Sequence, residues 1–120
     1  MDRFRSDAFL PLSPVAFEIL LSLADGNRHG YGILQEIESR TAGAISLNAG
    51  TLYRALARLL ENTLIEELDE PPASTASDDE RRRYYRLTSR GLAVARAEAS
   101  RLEGQVSAAR ARRLLKGSPA

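Results

Sequence analysis

The chain has 120 residues and a formal net charge of +1, which suits one domain with a small core. Cysteine is absent, and this excludes a disulfide framework, a thiolate nucleophile and a cysteine metal site. No apolar run approaches the roughly 18 residues of a membrane span, and the N-terminus lacks the apolar stretch of a signal peptide. We therefore expect a soluble cytoplasmic protein that does not bind membranes.

The N-terminal half predicts two short helices after an arm at residues 1–12. Ser13 is a good N-cap and Pro14 suits the first helical position, so the first helix is expected to start there. Apolar residues at helical spacing follow, and the turn residues 25–27 end the helix. A second amphipathic helix is predicted over residues 30–40, with Tyr31 on its buried face.

A third helix and a β-hairpin follow. Asn48 is the expected N-cap of the third helix, which ends near Asn62 and has an apolar face made of Leu52, Leu56, Leu59 and Leu60. Residues 64–68 and 82–87 have the composition of strands, and the segment between them is rich in proline and small polar residues. These features predict two antiparallel strands joined by a loop.

The last helix is expected to start at Thr88 and to reach about Leu115, leaving a tail at 116–120. Its apolar residues alternate in spacings of three and four, which is typical of a heptad seam. The seam comprises Leu92, Ala95, Ala99, Leu102, Val106 and Ala109. We interpret it as a dimerisation surface; the alternative is packing against the first helix and the arm of the same chain.

This order of elements predicts a mainly α fold with a β-hairpin, the winged helix-turn-helix. Residues 13–88 would form the DNA-binding domain and residues 89–115 a long C-terminal dimerisation helix. In such folds the N-terminal part of the recognition helix, here the third, enters the major groove of DNA.

Four segments also match a known family in the same order and spacing. They are Leu23–Ile33 with its His-Gly-Tyr-Gly-Ile turn, Asn48–Leu56 with Gly-Thr-Leu-Tyr, the helix-to-strand junction Leu59–Ile65, and Arg83–Gly91 with Arg-x-Tyr-x-Leu-Thr-x-x-Gly. On these motifs the sequence resembles the PadR family of transcriptional regulators. The resemblance spans roughly residues 12–92, and the short chain after it resembles the smaller members, in which one long helix mediates dimerisation.

One position departs from the family pattern. The family usually has glycine where this chain has Thr63, and glycine there would adopt the left-handed conformation that closes the third helix. Asparagine tolerates that conformation, so Asn62 is an alternative position for the turn, and the exact end of the helix stays open between these two residues.

Residues on the outer side of the third helix are candidates for DNA contact, because hydroxyl and guanidinium groups bind phosphates and base edges. The candidates are Asn48, Gly50, Thr51, Tyr53, Arg54 and Arg58. An ordinary solvated helix face is the alternative explanation of the same pattern.

The wing and the sole histidine supply further candidates. Arg81, Arg82 and Arg83 lie on the ascending side of the wing, at the start of its second strand, and wing arginines are attracted by the negative potential of the minor groove. Alternatively, these arginines merely balance the acidic residues 78–80. His29 is expected to have a structural role at the turn before the second helix, or to approach the DNA backbone.

The predicted function is that of a sequence-specific regulator, a homodimeric repressor that binds an inverted repeat in double-stranded DNA. The resemblance implies phenolic acids, drugs or other aromatic compounds as effectors of some members. No cofactor, metal site or enzymatic constellation is predicted, since one histidine has no evident partner for metal binding or acid–base work. The alternative function is a winged-helix protein-interaction module without DNA binding.

Overall fold

The computed structural model describes residues 4–68 and 83–116. A short 3-10 turn at Ser6–Phe9 comes first. The helices and strands that follow are α1 (Pro14–Ala24), β1 (Arg28–His29), α2 (Gly30–Arg40), α3 (Ala49–Glu61), β2 (Ile65–Leu68), β3 (Tyr84–Leu87) and α4 (Ser89–Ala111). The predicted class, a mainly helical winged helix-turn-helix with a long C-terminal helix, is confirmed.

A side-chain acceptor caps the start of each helix, which explains why the predicted starts agree so closely with the structure. The capping residues are Ser13, His29, Asn48 and Thr88. Three of them were predicted from their residue types. His29 was not predicted as a cap, because histidine is an uncommon capping residue; its Nδ1 accepts a hydrogen bond of 2.9 Å from the backbone N–H of Gly32.

The sheet has one strand more than the expected hairpin. Its order is β1-β3-β2 and both pairings are antiparallel, with Arg28 opposite Tyr85 and Ile65 opposite Leu87. The predicted hairpin is the pair β2–β3, and β1 was not predicted, since a two-residue strand has no periodicity that a sequence could reveal. Through its pairing with β3, β1 connects the start of α2 to the second strand of the hairpin.

The core lies where α1, α2 and α3 meet the sheet and the first half of α4. Its buried apolar residues include Ile19, Leu20, Ile33, Ile37, Leu52, Leu56, Leu64, Ile65 and Val94. Gly91 lets α4 approach this core closely: a Cβ there would overlap with the carbonyl oxygen of Leu64 and lie 2.9 Å from a methyl carbon of Leu87. Close packing is thus the reason for a glycine in the first turn of α4.

Of the two positions left open by the sequence, the turn after α3 lies at Thr63 and not at Asn62. Thr63 has φ +57°, whereas Asn62 has φ −87°. The N–H of Leu64 donates to the carbonyl of Leu59, and that of Thr63 donates to the carbonyl of Leu60, both at 3.0 Å. These two bonds form a Schellman motif, which fixes the left-handed residue whatever its side chain.

α4 ends earlier than the predicted Leu115. Arg113 has φ +59°, and Leu114 N–H donates to the carbonyl of Ala109 at 2.9 Å, so a second left-handed turn closes the helix. Within residues 4–68 and 83–116, no helix is both long and apolar enough to cross a membrane.

The segment before α1 packs on α4 of the same chain. The rings of Phe4 and Phe9 lie 5.9 Å apart, and the guanidinium of Arg90 lies 4.8 Å from the Phe4 ring centroid. The carboxylate of Glu98, which is 2% exposed, accepts a 3.1 Å hydrogen bond from the N–H of Leu12. The first part of α4 is therefore covered from within its own chain.

Candidate nucleic-acid interface

The helix α3 has one buried side and one exposed side. Leu52, Leu56 and Leu59 are between 0% and 4% exposed and point into the core, as predicted. Asn48, Gly50, Tyr53, Arg54 and Arg58 are exposed on the helix or at its start, and Thr51 is half-buried on its flank. The structure therefore brings all six predicted α3 residues to the surface around one end and one side of the helix.

Two of these residues shape the first turn of α3. The side-chain oxygen of Asn48 accepts a 2.8 Å hydrogen bond from the N–H of Thr51, so the side-chain amide nitrogen is its remaining donor. The guanidinium of Arg54 folds back over the turn, 3.4 Å from the Thr51 hydroxyl and 3.3 Å from the place a Cβ of Gly50 would occupy. A positive side chain thus adds to the positive end of the helix dipole.

Among the described residues, Arg54 and Arg58 are positive charges of this surface that have no carboxylate partner. Within residues 4–68 and 83–116, no carboxylate lies within ion-pair distance of either guanidinium, Glu61 included. Arg40, in contrast, is held by Glu36 and Glu18 at 2.9 and 2.7 Å, and these two contacts raise its pKa. Apart from the 3.4 Å contact of Arg54 with the Thr51 hydroxyl, neither guanidinium is committed to a partner that would compete with an external anion among the described residues.

Tyr53 stands at the edge of this surface and its position depends on Gly30. The Tyr53 side chain is half exposed, and its ring lies so close to Gly30 that a Cβ there would be 2.9 Å from the ring carbon Cζ. Sequence reasoning identified Tyr53 but missed Gly30. The glycine in the His-Gly-Tyr-Gly-Ile turn was the available signal, but its partner is 23 residues away in the chain.

His29, which precedes Gly30 in the chain, is built into the fold. Besides capping α2, its ring lies edge-on to Tyr84 at 5.2 Å and parallel to Tyr31 at 6.5 Å between centroids. This geometry supports the structural role among the two roles considered for His29. Tyr31 itself is 55% exposed, so the expectation that it is buried was wrong; it lies on the outer side of the first turn of α2.

The wing strands carry paired charges. Arg83 contacts Glu67 and Arg86 contacts Glu66, both at 2.7 Å, and the hydrogen bond that Arg83 donates to the Glu67 carboxylate raises the pKa of Arg83. This agrees with the charge-balanced alternative for Arg83, with the strand residue Glu67 as its partner among the described residues; the acidic residues 78–80 lie outside them. Arg81 and Arg82 lie outside the described residues.

The other wing residues anchor the sheet. Tyr85 is 3% exposed, and burial raises the pKa of its hydroxyl. Tyr84 contacts His29, so the two tyrosines face opposite sides of the strand, as the alternation of a β-strand requires.

Of the predicted seam on α4, Ala95 is buried in its own chain and the other residues are exposed or partly covered. Ala95 is 8% exposed and belongs to the core of its own chain, so it is not available to a partner. Ala99 and Val106 are exposed, whereas Leu92, Leu102 and Ala109 are partly covered. Residues 103–108 are all exposed, which leaves the second half of α4 projecting from the body formed by the other elements.

Comparison with known proteins identifies one family model, described as the transcriptional regulator PadR-like family, which matches residues 19–97. An uncharacterized protein from Lysinibacillus sphaericus is 37% identical over 75 residues. That match covers 62% of this chain and 65% of the relative, so the chain spans slightly less than two thirds of the relative's length.

Solved structures of regulators have the same fold. A transcriptional regulator from Clostridium thermocellum is 29% identical with a TM-score of 0.65, and the match covers 78% of this chain and 87% of that one. RosR from H. salinarum is 27% identical with a TM-score of 0.58 (82% and 78% covered). A PadR family transcription regulator from Clostridium difficile is 24% identical with a TM-score of 0.67 (81% and 95% covered) and supports the fold alone.

Proposed function

Because the chain belongs to the PadR-like family of transcriptional regulators, we propose that it is a homodimeric repressor that binds an inverted-repeat operator. DNA binding is supported at the level of the family. The observation that carries the proposal for this chain is the exposed side of α3, where Arg54 and Arg58 have no carboxylate partner among the described residues.

The proposed contacts follow from the chemistry of each α3 residue. The start of the helix, with Asn48, Gly50 and Thr51, would meet the DNA first, since Gly50 adds no side chain between backbone and phosphate. Arg54 and Arg58 would reach phosphates or guanine acceptors in the major groove. The half-exposed Tyr53 would offer its hydroxyl beside them.

The wing is proposed as a second contact, through Arg81, Arg82 and Arg83. The Arg83 side chain is 72% exposed despite its ion pair with Glu67. Exposed ion pairs contribute little free energy, about 0–1 kcal/mol, so Arg83 can exchange its carboxylate for a phosphate at small cost. His29 is proposed to contact the DNA backbone with its ring in the position it has in the structure, where Nδ1 caps α2.

Dimerisation is proposed through the uncovered side of α4, which includes its projecting second half. The surface consists of the residues of the predicted seam other than Ala95, namely Leu92, Ala99, Leu102, Val106 and Ala109. Small residues permit close helix approach, and the larger ones supply apolar area. A two-fold dimer would place two copies of α3 about 34 Å apart, which is one turn of DNA and the spacing of an inverted repeat.

The decisive experiment selects binding sites from random double-stranded DNA and measures the affinity of the selected site against salt. We expect an inverted repeat whose affinity falls steeply as salt rises, because bound phosphates release counterions. The double variant Arg54→Ala/Arg58→Ala should lose about tenfold or more in affinity and lower the salt slope by about 2. Arg96→Ala, an exposed arginine on α4, is the matched control and should bind like the parent.

Repression and its relief are tested with the same site in front of a reporter gene. Expression of the chain should lower the reporter signal, and the double variant should restore it. The family resemblance supports a small aromatic effector that weakens DNA binding, which would raise the signal in the presence of the parent protein only.

A second candidate function is a protein-interaction module without DNA binding. The pairs Arg83–Glu67 and Arg86–Glu66 favour it, because they neutralise the described part of the wing. In that case the selection yields no enriched site, and the residual affinity for DNA is the same for the parent and the double variant.

A further inference from the structure

α2 is capped by the only histidine of the chain, and the capping atom is a ring nitrogen. Nδ1 of His29 accepts a 2.9 Å hydrogen bond from the backbone N–H of Gly32. The other three α-helices are capped by the side-chain oxygens of Ser13, Asn48 and Thr88. A hydroxyl or amide oxygen keeps its lone pairs in mild acid, whereas Nδ1 has no lone pair to offer once the imidazole is protonated. Among these caps, that of α2 is therefore the one that depends on pH.

The ring of His29 is held close to the first turn of α2. It lies edge-on to Tyr84 at 5.2 Å and parallel to Tyr31 at 6.5 Å between ring centroids. A Cβ at Gly32 would lie 3.4 Å from ring carbon Cε1, which is van der Waals contact, so the ring lies directly over this turn. The backbone of His29 is fixed as well, because it pairs with Tyr84 across β1 and β3. Rotation of the ring away from the cap would change its contacts with both tyrosines.

Protonation of this ring is incompatible with the cap. With a proton on both ring nitrogens, His29 would direct an N–H toward the N–H of Gly32, and two donors 2.9 Å apart repel each other. The positive ring would also lie at the positive end of the α2 dipole, where a cation is unfavourable. The charged ring must therefore leave its position, or the first turn of α2 must move.

The first turn of α2 also contacts a residue of α3. Gly30 follows His29 directly in the chain, is buried, and lies against the ring of Tyr53. The tyrosine hydroxyl and ring carbon Cζ already occupy the space that a Cβ of Gly30 would need. A shift of Gly30 toward α3 would therefore displace the tyrosine, and a shift away from α3 would remove the contact that supports its ring.

We propose that His29 is a positioning residue for DNA binding and makes that binding sensitive to mild acid. The neutral ring holds the first turn of α2 in place beside Tyr53, and the protonated ring releases that turn. The link to DNA rests on the proposed function, whereas the pH dependence of the cap does not.

The expected pH range follows from the chemistry of histidine. Histidine in model peptides titrates near pH 6.5, so the effect is expected between about pH 7.5 and pH 5.5. Because the cap requires the neutral ring, its contribution to stability is complete above this range and is lost as the pH falls through it. Tyr31 and Tyr84 face the ring from α2 and β3, and tyrosine titrates near pH 10, well outside the range. The guanidinium of the preceding Arg28 binds the carbonyl of Ser22 and the carboxylate of Asp25, at 2.6 and 3.2 Å.

Thermal unfolding of the parent and two variants at pH 7.5 and pH 5.5 tests the cap. In His29→Asn the capping atom is an amide oxygen that does not titrate, and in His29→Ala the side-chain cap is lost. On going to pH 5.5, the unfolding midpoint of the parent should fall by about 3–6 °C more than that of His29→Asn. The midpoint of His29→Ala should lie below that of His29→Asn by a similar amount at both pH values. Equal pH profiles for the parent and His29→Asn would overturn the proposal.

The capping hydrogen bond itself is followed by NMR on the full chain, labelled with ¹⁵N and ¹³C. The amide signal of Gly32 should move with the same midpoint as the ring signals of His29, and it should stay constant in His29→Asn. The amide of Gly91 is the matched control, because it donates to the hydroxyl of Thr88, a cap that does not titrate. A ring that becomes protonated without any change at Gly32 would contradict the proposal, and so would a ring that is already charged at pH 7.5.

Operator affinity at the same two pH values tests the link to DNA. The parent should bind the selected operator about threefold to tenfold more weakly at pH 5.5 than at pH 7.5. His29→Asn should keep at pH 5.5 whatever affinity it has at pH 7.5. Stronger binding by the parent in acid would mean that the charged ring attracts phosphate from its capping position, and would overturn the positioning role. A pH-dependent cap in a chain that binds no operator would contradict the repressor proposal and support the inference about α2.

Discussion

The ring of Tyr53 on α3 lies directly against Gly30, the first residue of α2. A Cβ at position 30 would sit 2.9 Å from Cζ of the ring, closer than side-chain carbons approach in folded proteins. Because Gly30 has no side chain, the space beside it is open, and the half-exposed ring of Tyr53 occupies that space.

Replacing Gly30 with alanine tests that contact. Tyr53 is half exposed and can swing outward, so the free energy of unfolding should change by less than about 1 kcal/mol. Operator affinity should fall about threefold to tenfold, the effect of one lost hydrogen bond. Gly26→Ala is the matched control, because nothing lies within 4 Å of its added Cβ. Equal affinities for the two variants in a DNA-binding titration would show that the position of Tyr53 does not matter.

Thr63→Gly is expected to stabilise the protein. Thr63 holds a left-handed φ of +57°, which is unfavourable for a β-branched residue and favourable for glycine. We expect the free energy of unfolding to rise by about 0.5–1 kcal/mol in urea denaturation. Asn62→Gly should instead lower it, because φ is −87° there. The reverse order of the two variants would place the left-handed residue at Asn62.

The projecting half of α4 gives a prediction about assembly. Val106 is 45% exposed and lies in the proposed dimer surface, whereas the adjacent Ser107 lies on another side of the helix. Val106→Glu would bury a charge in the dimer and should weaken dimerisation about tenfold or more, measured by analytical ultracentrifugation. Ser107→Glu adds the same charge and should leave the dimer intact. A parent chain that sediments as a monomer would refute the proposed dimer.

Glu98 predicts a dependence of stability on pH. Its carboxylate accepts hydrogen bonds from Arg101 at 2.6 and 2.9 Å and from the N–H of Leu12, and these contacts lower its pKa below the ordinary 4.5. A lowered folded-state pKa contributes stability that is complete above pH 4.5 and is lost as the pH falls through the folded value. Glu98→Gln should therefore cost about 1–3 kcal/mol at pH 7 and progressively less in acid.

Denaturation of the parent and of Glu98→Gln between pH 7 and pH 3 measures the difference between their free energies of unfolding. Glu103→Gln is a suitable control, since Glu103 is exposed on the same helix and makes no ion pair within the described residues. A difference between Glu98→Gln and the parent that stays constant with pH would mean that the charge of Glu98 does not hold the N-terminal segment.

The elements that depend on local chemistry could be predicted from the sequence. Ser13, Asn48 and Thr88 cap their helices as expected, because capping needs only one residue and the next turn. The leucine face of α3 has the periodicity that its burial requires.

The features that were missed depend on contacts between distant parts of the chain. β1 exists only because β3 offers a free edge, and Ala95 is buried because the fold covers that part of α4. Likewise, the pair of Arg83 with Glu67 bridges two strands whose register the sequence did not specify. None of these has a local pattern.

Thr88 joins three elements at one point. Its hydroxyl accepts from the N–H of Gly91 in α4 and donates to the carbonyl of Thr63 at the end of α3, while its backbone continues directly from β3. No linker separates the wing from α4, and Gly91 presses the helix against Leu64. The long helix is therefore joined without a linker to the part of the fold that carries α3, and in the proposed dimer a rotation of one α4 against the other would change the orientation of both copies of α3.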